Sequence, residues 1–311
     1  MNTSTKPLSG SRVGIFGKGG SGKSTVTVLL ARALRNRRYP VCVLDADSSN
    51  VGLHDAIGVE RPPEPLVDYF GGMVFSGGAV TCPVDDPTSL TGAVVSIEEL
   101  PGRYVGRTKE GIWLLATGKM GERGPGAGCD GPMAKIARDL RVQVKGEECL
   151  TLVDFKAGFE DSARGVVVGF DRAVAVVDPT SAAPQLAIHL ISLVNRIKRG
   201  DRPATEHLED PELVEAARRL FREARIQDVL VVLNRVDAES ARHLLGVLSR
   251  RGVHPVATIR MDPRVSISWL KGVRLEAREA SEDVEELASA LEGHAPRLSP
   301  IEVPVHPGVT Y

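Results

Sequence analysis

The sequence predicts an α/β fold: a doubly wound, mostly parallel sheet of seven or eight strands with helices on both faces. Three observations carry that expectation. Short runs such as Val229-Leu230-Val231-Val232-Leu233 are apolar throughout, as strands buried on both faces are. Stretches with apolar residues three and four apart alternate with those runs, the pattern of a sheet wound with helices. The first run, Val13-Gly14-Ile15-Phe16, passes into Gly17-Lys18-Gly19-Gly20-Ser21-Gly22-Lys23-Ser24-Thr25, and a helix over 25–38 follows with Val26, Leu30 and Leu34 on one face.

The glycine-rich run fits G-x-x-x-x-G-K-[ST], the phosphate-binding P-loop pattern, in the strand–loop–helix context that pattern requires. Its glycines let the backbone turn tightly, so successive N–H groups and the helix N-terminus face phosphate oxygens. Lys23 is then placed for the β- and γ-phosphates and the Ser24 hydroxyl for a Mg²⁺ shell. Gly17 through Thr25 are the expected nucleotide contacts, and the fold expected is that of a P-loop NTPase.

The remaining elements follow in order. Residues 40–44 form a second strand ending in Asp45-Ala46-Asp47. Carboxylates at a strand's carboxyl end, beside a phosphate loop, can act on Mg²⁺ or its waters. Asp47 is the first candidate, Asp45 the second and Asp55 a third. Residues 61–107 are rich in Pro and Gly and read as an inserted connection with short helices near 66–70. A third strand covers 111–116. The run Gly124-Pro125-Gly126-Ala127-Gly128-Cys129-Asp130-Gly131-Pro132 then opens a helix reaching Leu140. A fourth strand over 149–154 ends in Asp154, the Walker B arrangement, with Asp154 expected to hold Mg²⁺ through water. Residues 172–177 are a fifth strand and 183–198 a helix. Residues 200–210 read as a polar insertion, and 211–225 as a helix whose arginines interleave with Glu212, Glu215 and Glu223 as an ion-paired face. Strands over 229–233 and 255–259 follow, with helices near 266–271 and 282–291. One domain is expected over 1–295, and a proline-rich tail over 296–311.

Composition excludes several classes of function. The chain has 311 residues, with Lys+Arg 39 against Asp+Glu 40 and a net charge of −1, so no overall field draws it to nucleic acid or an anionic membrane. Aromatic residues are 4%, too few for a base-stacking platform. No apolar run reaches membrane-spanning length, and residues 1–11 lack the apolar core of a signal peptide. The 4 cysteines include no C-x-x-C pair and suit a reduced, cytoplasmic protein.

Lys18, just after the first glycine, gives the loop the form K-G-G-x-G-K-[ST]. It resembles the deviant Walker A of the MinD/ParA/nitrogenase iron protein class of ATPases. In that class the extra lysine reaches across a nucleotide-sandwiched homodimer to the partner's phosphates, which ties catalysis to dimerisation. Asp45-Ala46-Asp47 resembles the family's switch I, and Ala157-Gly158-Phe159-Glu160 its switch II. The resemblance implies an ATP-dependent homodimer in which Lys18, Lys23, Asp47 and Asp45 serve hydrolysis, with Mg²⁺ held through Ser24, Asp45 and Asp154.

Asn234-Arg235-Val236-Asp237 follows the sixth strand. By resemblance Asn234 contacts adenine, with Arg235 beside it. The same run approaches the N-K-x-D guanine motif of nickel-insertion GTPases, in which the Asp reads guanine. Arg235 in place of Lys, together with Lys18, favours ATP.

Within the class the pattern is most similar to the carbon monoxide dehydrogenase nickel-insertion accessory ATPases, the CooC group. The shared features are the K-G-G-x-G-K-S-T loop, D-A-D, A-G-x-E, a strand ending V-V-D-P, and V-L-N. That group carries a C-x-C metal motif at its dimer interface; here Cys129 holds the first place and Gly131 the second. Cys82, in a proline-flanked loop, is the other thiol expected to contribute, and the pair from each subunit would suit Ni, Zn or an Fe–S cluster. The resemblance thus implies an accessory factor that matures or reduces the metal centre of a client enzyme. The alternative is a MinD/ParA-type positioning or partition ATPase. Against that alternative stand a tail without an amphipathic membrane helix and the absence of net basic charge.

Overall fold

A computed structural model describes residues 6–119 and 129–294. Among those residues, eight strands form one sheet: β1 (Arg12–Gly17), β2 (Val41–Ala46), β3 (Gly106–Arg107), β4 (Trp113–Ala116), β5 (Leu150–Phe155), β6 (Arg172–Val177), β7 (Asp228–Val236) and β8 (Ala257–Arg260). Their order is β8-β7-β6-β1-β5-β2-β4-β3. Every pair is parallel except β3 with β4, which is antiparallel at the edge. The longer helices are α1 (Lys23–Asn36), α2 (Gly131–Asp139), α3 (Ala182–Lys198), α4 (Pro211–Arg222), α5 (Ala238–Ser249), α6 (Pro263–Lys271) and α7 (Glu279–Ser289).

Alternation along each strand divides the core between two faces. Val13 and Ile15 of β1, Val41 and Val43 of β2, and Leu150 and Leu152 of β5 join α1 and α7 in one apolar cluster. Phe16, Leu44, Val153 and Phe155 point the other way and pack with α2 and α3. Phe16 stacks on Phe155 with centroids 4.6 Å apart, which locks β1 to β5. The parity has a chemical consequence: Asp45 and Asp154 continue the α1-facing series, so both carboxylates end up beneath the helix that follows the P-loop.

The chain leaves β1 for β2 on one side, whereas β6 pairs with β1 on the other. The order reverses there, and ligands of open α/β sheets bind beyond the strand ends at such a point.

The apolar runs expected as strands are all strands. Three features were not anticipated. β3 is two residues long and carries no pattern. Helix α5 was unassigned, although Asp237 caps it reciprocally with Ser240 and Leu244 and Leu248 are its buried positions. The helix expected to reach Leu140 stops at Asp139, because Arg141–Val144 forms a strand pairing with Val94–Ser96 and Glu147–Glu148. Arg141-Val142-Gln143-Val144 alternates polar and apolar, and Lys145 and Gly146 adopt φ 52° and 79°, the signature of a tight hairpin turn. The glycine run at 124–128 and the tail at 296–311 lie outside the described residues.

Candidate active site

The P-loop is built on left-handed backbone. Gly20 and Gly22 have φ of 77° and 87°, a region costly for other residues. A Cβ on Gly22 would lie 2.3 Å from Asn234 Nδ2, and one on Gly17 2.7 Å from the Val176 carbonyl. The loop therefore closes over the ends of β6 and β7 only with glycine at both places. Asn234 Nδ2 donates to the Ser21 carbonyl at 2.7 Å, and Arg235 Nη1 to the Gly20 carbonyl at 2.7 Å. Asn234, expected at the purine, is buried and braces the loop from beneath.

Lys23 is buried with its Nζ 3.3 Å from the Lys18 carbonyl. Burial lowers its pKa, and Asp154, Asp47 and Asp178 oppose that shift. Lys18 is the more exposed lysine, with its Nζ 3.3 Å from the Gly19 carbonyl and 4.0 Å from Asp178.

Ser24 Oγ donates to Asp154 Oδ2 at 2.6 Å, and Thr27 Oγ1 approaches Asp154 Oδ1 at 3.2 Å. Asp154 has no solvent exposure, and burial pushes its pKa up to about 6 even with these donors and Lys23 nearby. A buried carboxylate held by hydroxyls, beside a second hydroxyl-bearing loop, is an all-oxygen donor set that fits Mg²⁺. The loop also fits phosphate: Ser21 Oγ is buried without a hydrogen-bond partner. Buried hydroxyls are normally satisfied, and an anion in the loop supplies acceptors.

Asp45 is the register partner of Asp154 on the neighbouring strand. Burial pushes its pKa up to about 7 against the pull of Lys119, whose Nζ lies 2.6 Å from Asp45 Oδ2. Asp47 Oδ1 accepts from Ser49 N and Oγ at 2.9 and 2.6 Å. Asn50 Nδ2 donates to Ser24 Oγ at 2.9 Å, joining the stretch after Asp47 to the P-loop helix. Asp55 lies in the short helix Leu53–Ile57 and pairs with His54 at 3.4 Å, apart from these contacts.

The 157–160 stretch is also tied in, since Gly158 N donates to the Gly17 carbonyl at 3.2 Å. Beyond it, Asp130 accepts from Lys156 at 3.0 Å and pairs with Arg164 at 2.8 Å. Asp237 Oδ1 accepts from Ser240 N and Oγ at 2.8 and 2.7 Å, capping α5.

Cys129 is half-buried, and its Sγ accepts from Gly131 N at 3.4 Å. Cys82 is buried against Gly131; a Cβ at 131 would lie 2.6 Å from its Sγ. Cys82 therefore fills the space that a side chain at 131 would need, and burial raises its pKa. Among the described residues no group of three or more His, Cys, Asp or Glu is assembled for metal binding.

Sequence reasoning missed Lys119, Asn50 and Thr27. Thr27 lies three residues beyond Ser24 on the same helix, which was a usable signal. Lys119 had none, because its partner is 74 residues away.

Residues 15–275 match the CobQ/CobB/MinD/ParA nucleotide binding domain family. An uncharacterised ATP-binding protein of Methanocaldococcus jannaschii is 35% identical over 179 residues, 57% of this chain and 70% of that protein. The carbon monoxide dehydrogenase accessory protein CooC of Rhodospirillum rubrum is 32% identical over 186 residues, 58% of this chain and 68% of that protein. The septum site-determining protein MinD of Pyrococcus horikoshii, solved with Mg-ADP, superposes with a TM-score of 0.53 at 17% identity, covering 91% of this chain and 96% of that one.

Proposed function

The chain belongs to the CobQ/CobB/MinD/ParA nucleotide-binding domain family, and from that premise we propose that it is an ATP-hydrolysing homodimeric switch. Its role in this reading is that of a CooC-like accessory factor in the maturation or reduction of a client enzyme's metal centre. The observation that carries the nucleotide part is the Ser24–Asp154 contact at 2.6 Å beneath a loop whose Ser21 hydroxyl is buried without a partner.

Each residue then has a task. Gly17, Gly19, Gly20, Ser21, Gly22 and Thr25 shape and supply the phosphate cradle. Lys23 offsets phosphate charge, and Lys18 does so for the partner copy. Ser24 and Asp154 hold Mg²⁺, with Asp45 beside them. Bound Mg²⁺ would offset the charge on the β- and γ-phosphates. Asp47 orients the attacking water. Asn234 and Arg235 keep the loop in shape at the base side. Asp237 supports ATP over GTP: one carboxylate oxygen is committed to the α5 cap, whereas reading guanine uses both.

The accessory role is supported by the likeness to CooC and by the two thiols bordering Gly131. Cys129 and Cys82 from each of two copies would supply soft ligands for Ni, Zn or an Fe–S cluster at the dimer interface. The nucleotide part is tested by Mg²⁺-dependent hydrolysis, which should vanish on chelation and in Lys23→Ala. The accessory part is tested by metal content: the ATP-trapped protein should bind metal stoichiometrically, and Cys129→Ser should not. Equal metal content in both proteins removes the metal role and leaves the ATPase.

A further inference from the structure

Lys119 stands at the end of β4, where the family motifs assign nothing. Its Nζ lies 2.6 Å from Asp45 Oδ2 and 2.7 Å from the Asp47 carbonyl. The side chains of Lys119 and Asp45 are 17% and 8% exposed, so the pair is largely out of water. The other Asp45 oxygen, Oδ1, accepts the Asp47 N–H at 3.2 Å. Thr117, two residues before Lys119, donates from N and Oγ1 to the Asp45 carbonyl at 2.9 and 3.2 Å. The end of β4 therefore grips residues 45–47 through main chain and side chain together.

We propose that Lys119 is a positioning residue for hydrolysis: it holds Asp45 to the protein and fixes the main chain at Asp47, so that Asp47 is the carboxylate presented to the nucleotide. The inference rests on the reading of Asp47 as the hydrolytic aspartate. Asp45 and Asp154 sit side by side in register, and two adjacent buried carboxylates repel unless a cation compensates one of them. Lys119 compensates Asp45, and Asp154 is left to the hydroxyls of Ser24 and Thr27. A lysine has three donors, and two of them are used on this one turn. With that tether gone, Asp45 is free to compete as a carboxylate, and the 45–47 turn loses a contact that sets its path.

The test compares Lys119→Met and Lys119→Arg with the wild-type full chain. Nucleotide affinity is read with a fluorescent ATP analogue and hydrolysis by single turnover. The Met variant should bind Mg·ATP within about threefold of wild type and hydrolyse it about 10–100-fold more slowly, the penalty of a misplaced group. The Arg variant should recover most of that rate, because a guanidinium can also reach both acceptors. Wild-type hydrolysis in Lys119→Met overturns the proposal. So does a loss of binding in parallel with hydrolysis that Arg does not rescue, because that is the signature of a packing role. If the Met variant does not fold, the Arg variant decides: hydrolysis near the wild-type rate with wild-type binding supports the proposal, and binding and hydrolysis lost together overturn it. Asp47→Ala, measured alongside, separates the two levels. If it hydrolyses normally, the reading of Asp47 fails; if it is inactive while Lys119→Met is normal, this proposal alone falls.

Discussion

Lys23 is a buried cation in the phosphate loop that its neighbours leave undercompensated. It is buried, its pKa is lowered by that burial, and three aspartates nearby do not restore it. Phosphate oxygens would. Lys23→Ala should weaken Mg·ATP binding by about 10–150-fold, the value of one charge-assisted hydrogen bond, measured by titration calorimetry. Asp161 gives a pH prediction. Burial, with Asp130 beside it, raises its pKa from 3.8 to about 6 despite Arg164. Between those values the unfolded chain has released a proton that the folded chain keeps, so stability falls as pH rises from about 4 to about 6 and then levels. The contribution is on the order of 2–3 kcal/mol, and Asp161→Asn should flatten that part of the pH profile of thermal unfolding. Unchanged slopes in the variant would mean that Asp161 ionises freely in the fold. Gly131→Ala should cost about 1–3 kcal/mol through overpacking, because its Cβ meets the Cys82 sulfur.

At the scale of elements, the P-loop is held by what lies under it. Asn234 and Arg235, at the end of β7, bond two loop carbonyls. Asn234→Ala should therefore weaken ATP and GTP binding by similar factors. A selective change in purine preference would instead identify Asn234 as a base contact. The stretch after β5 is coupled to the loop through Gly158 and Gly17. Hydrogen exchange across residues 154–162 should therefore differ between ATP-trapped and ADP-bound protein, as a segment ordered by the γ-phosphate does; identical protection would remove the switch assignment. How legible each element was depended on how local its signal is. The P-loop is a contiguous run whose chemistry is written in one stretch. Asp154 was legible because an apolar strand ends in it. α5 was missed because its cap lies in the same four residues that read as a nucleotide motif. The strand at Arg141–Val144 was missed because Val94–Ser96, its partner, sits in an insertion with no periodic pattern. Lys119 was out of reach for the same reason on a smaller scale: its role exists only once β2 and β4 pair.

For the molecule as a whole, the sheet brings three strand ends to one edge. β1 supplies the loop, β2 and β5 supply Asp47 and Asp154, and the alternation of the strands turns Asp45 and Asp154 toward α1. That architecture supports nucleotide binding within one copy. Lys18 is different: it is 38% exposed, with Asp178 4.0 Å away and no contact to the Ser24–Asp154 pair. Its use across a dimer is the central claim, and the most direct measurement is sedimentation velocity with Mg·ATP. An Asp47→Ala protein, expected to bind ATP without turning it over, should sediment as a dimer with Mg·ATP and as a monomer with Mg·ADP. Adding Lys18→Ala should return it to monomer in ATP while nucleotide affinity stays within about threefold, since in this reading Lys23 and not Lys18 is the main phosphate cation of its own copy. A Lys18→Ala, Asp47→Ala protein that still dimerises with ATP, together with a Lys18→Ala protein that hydrolyses ATP at the wild-type rate, would contradict the account.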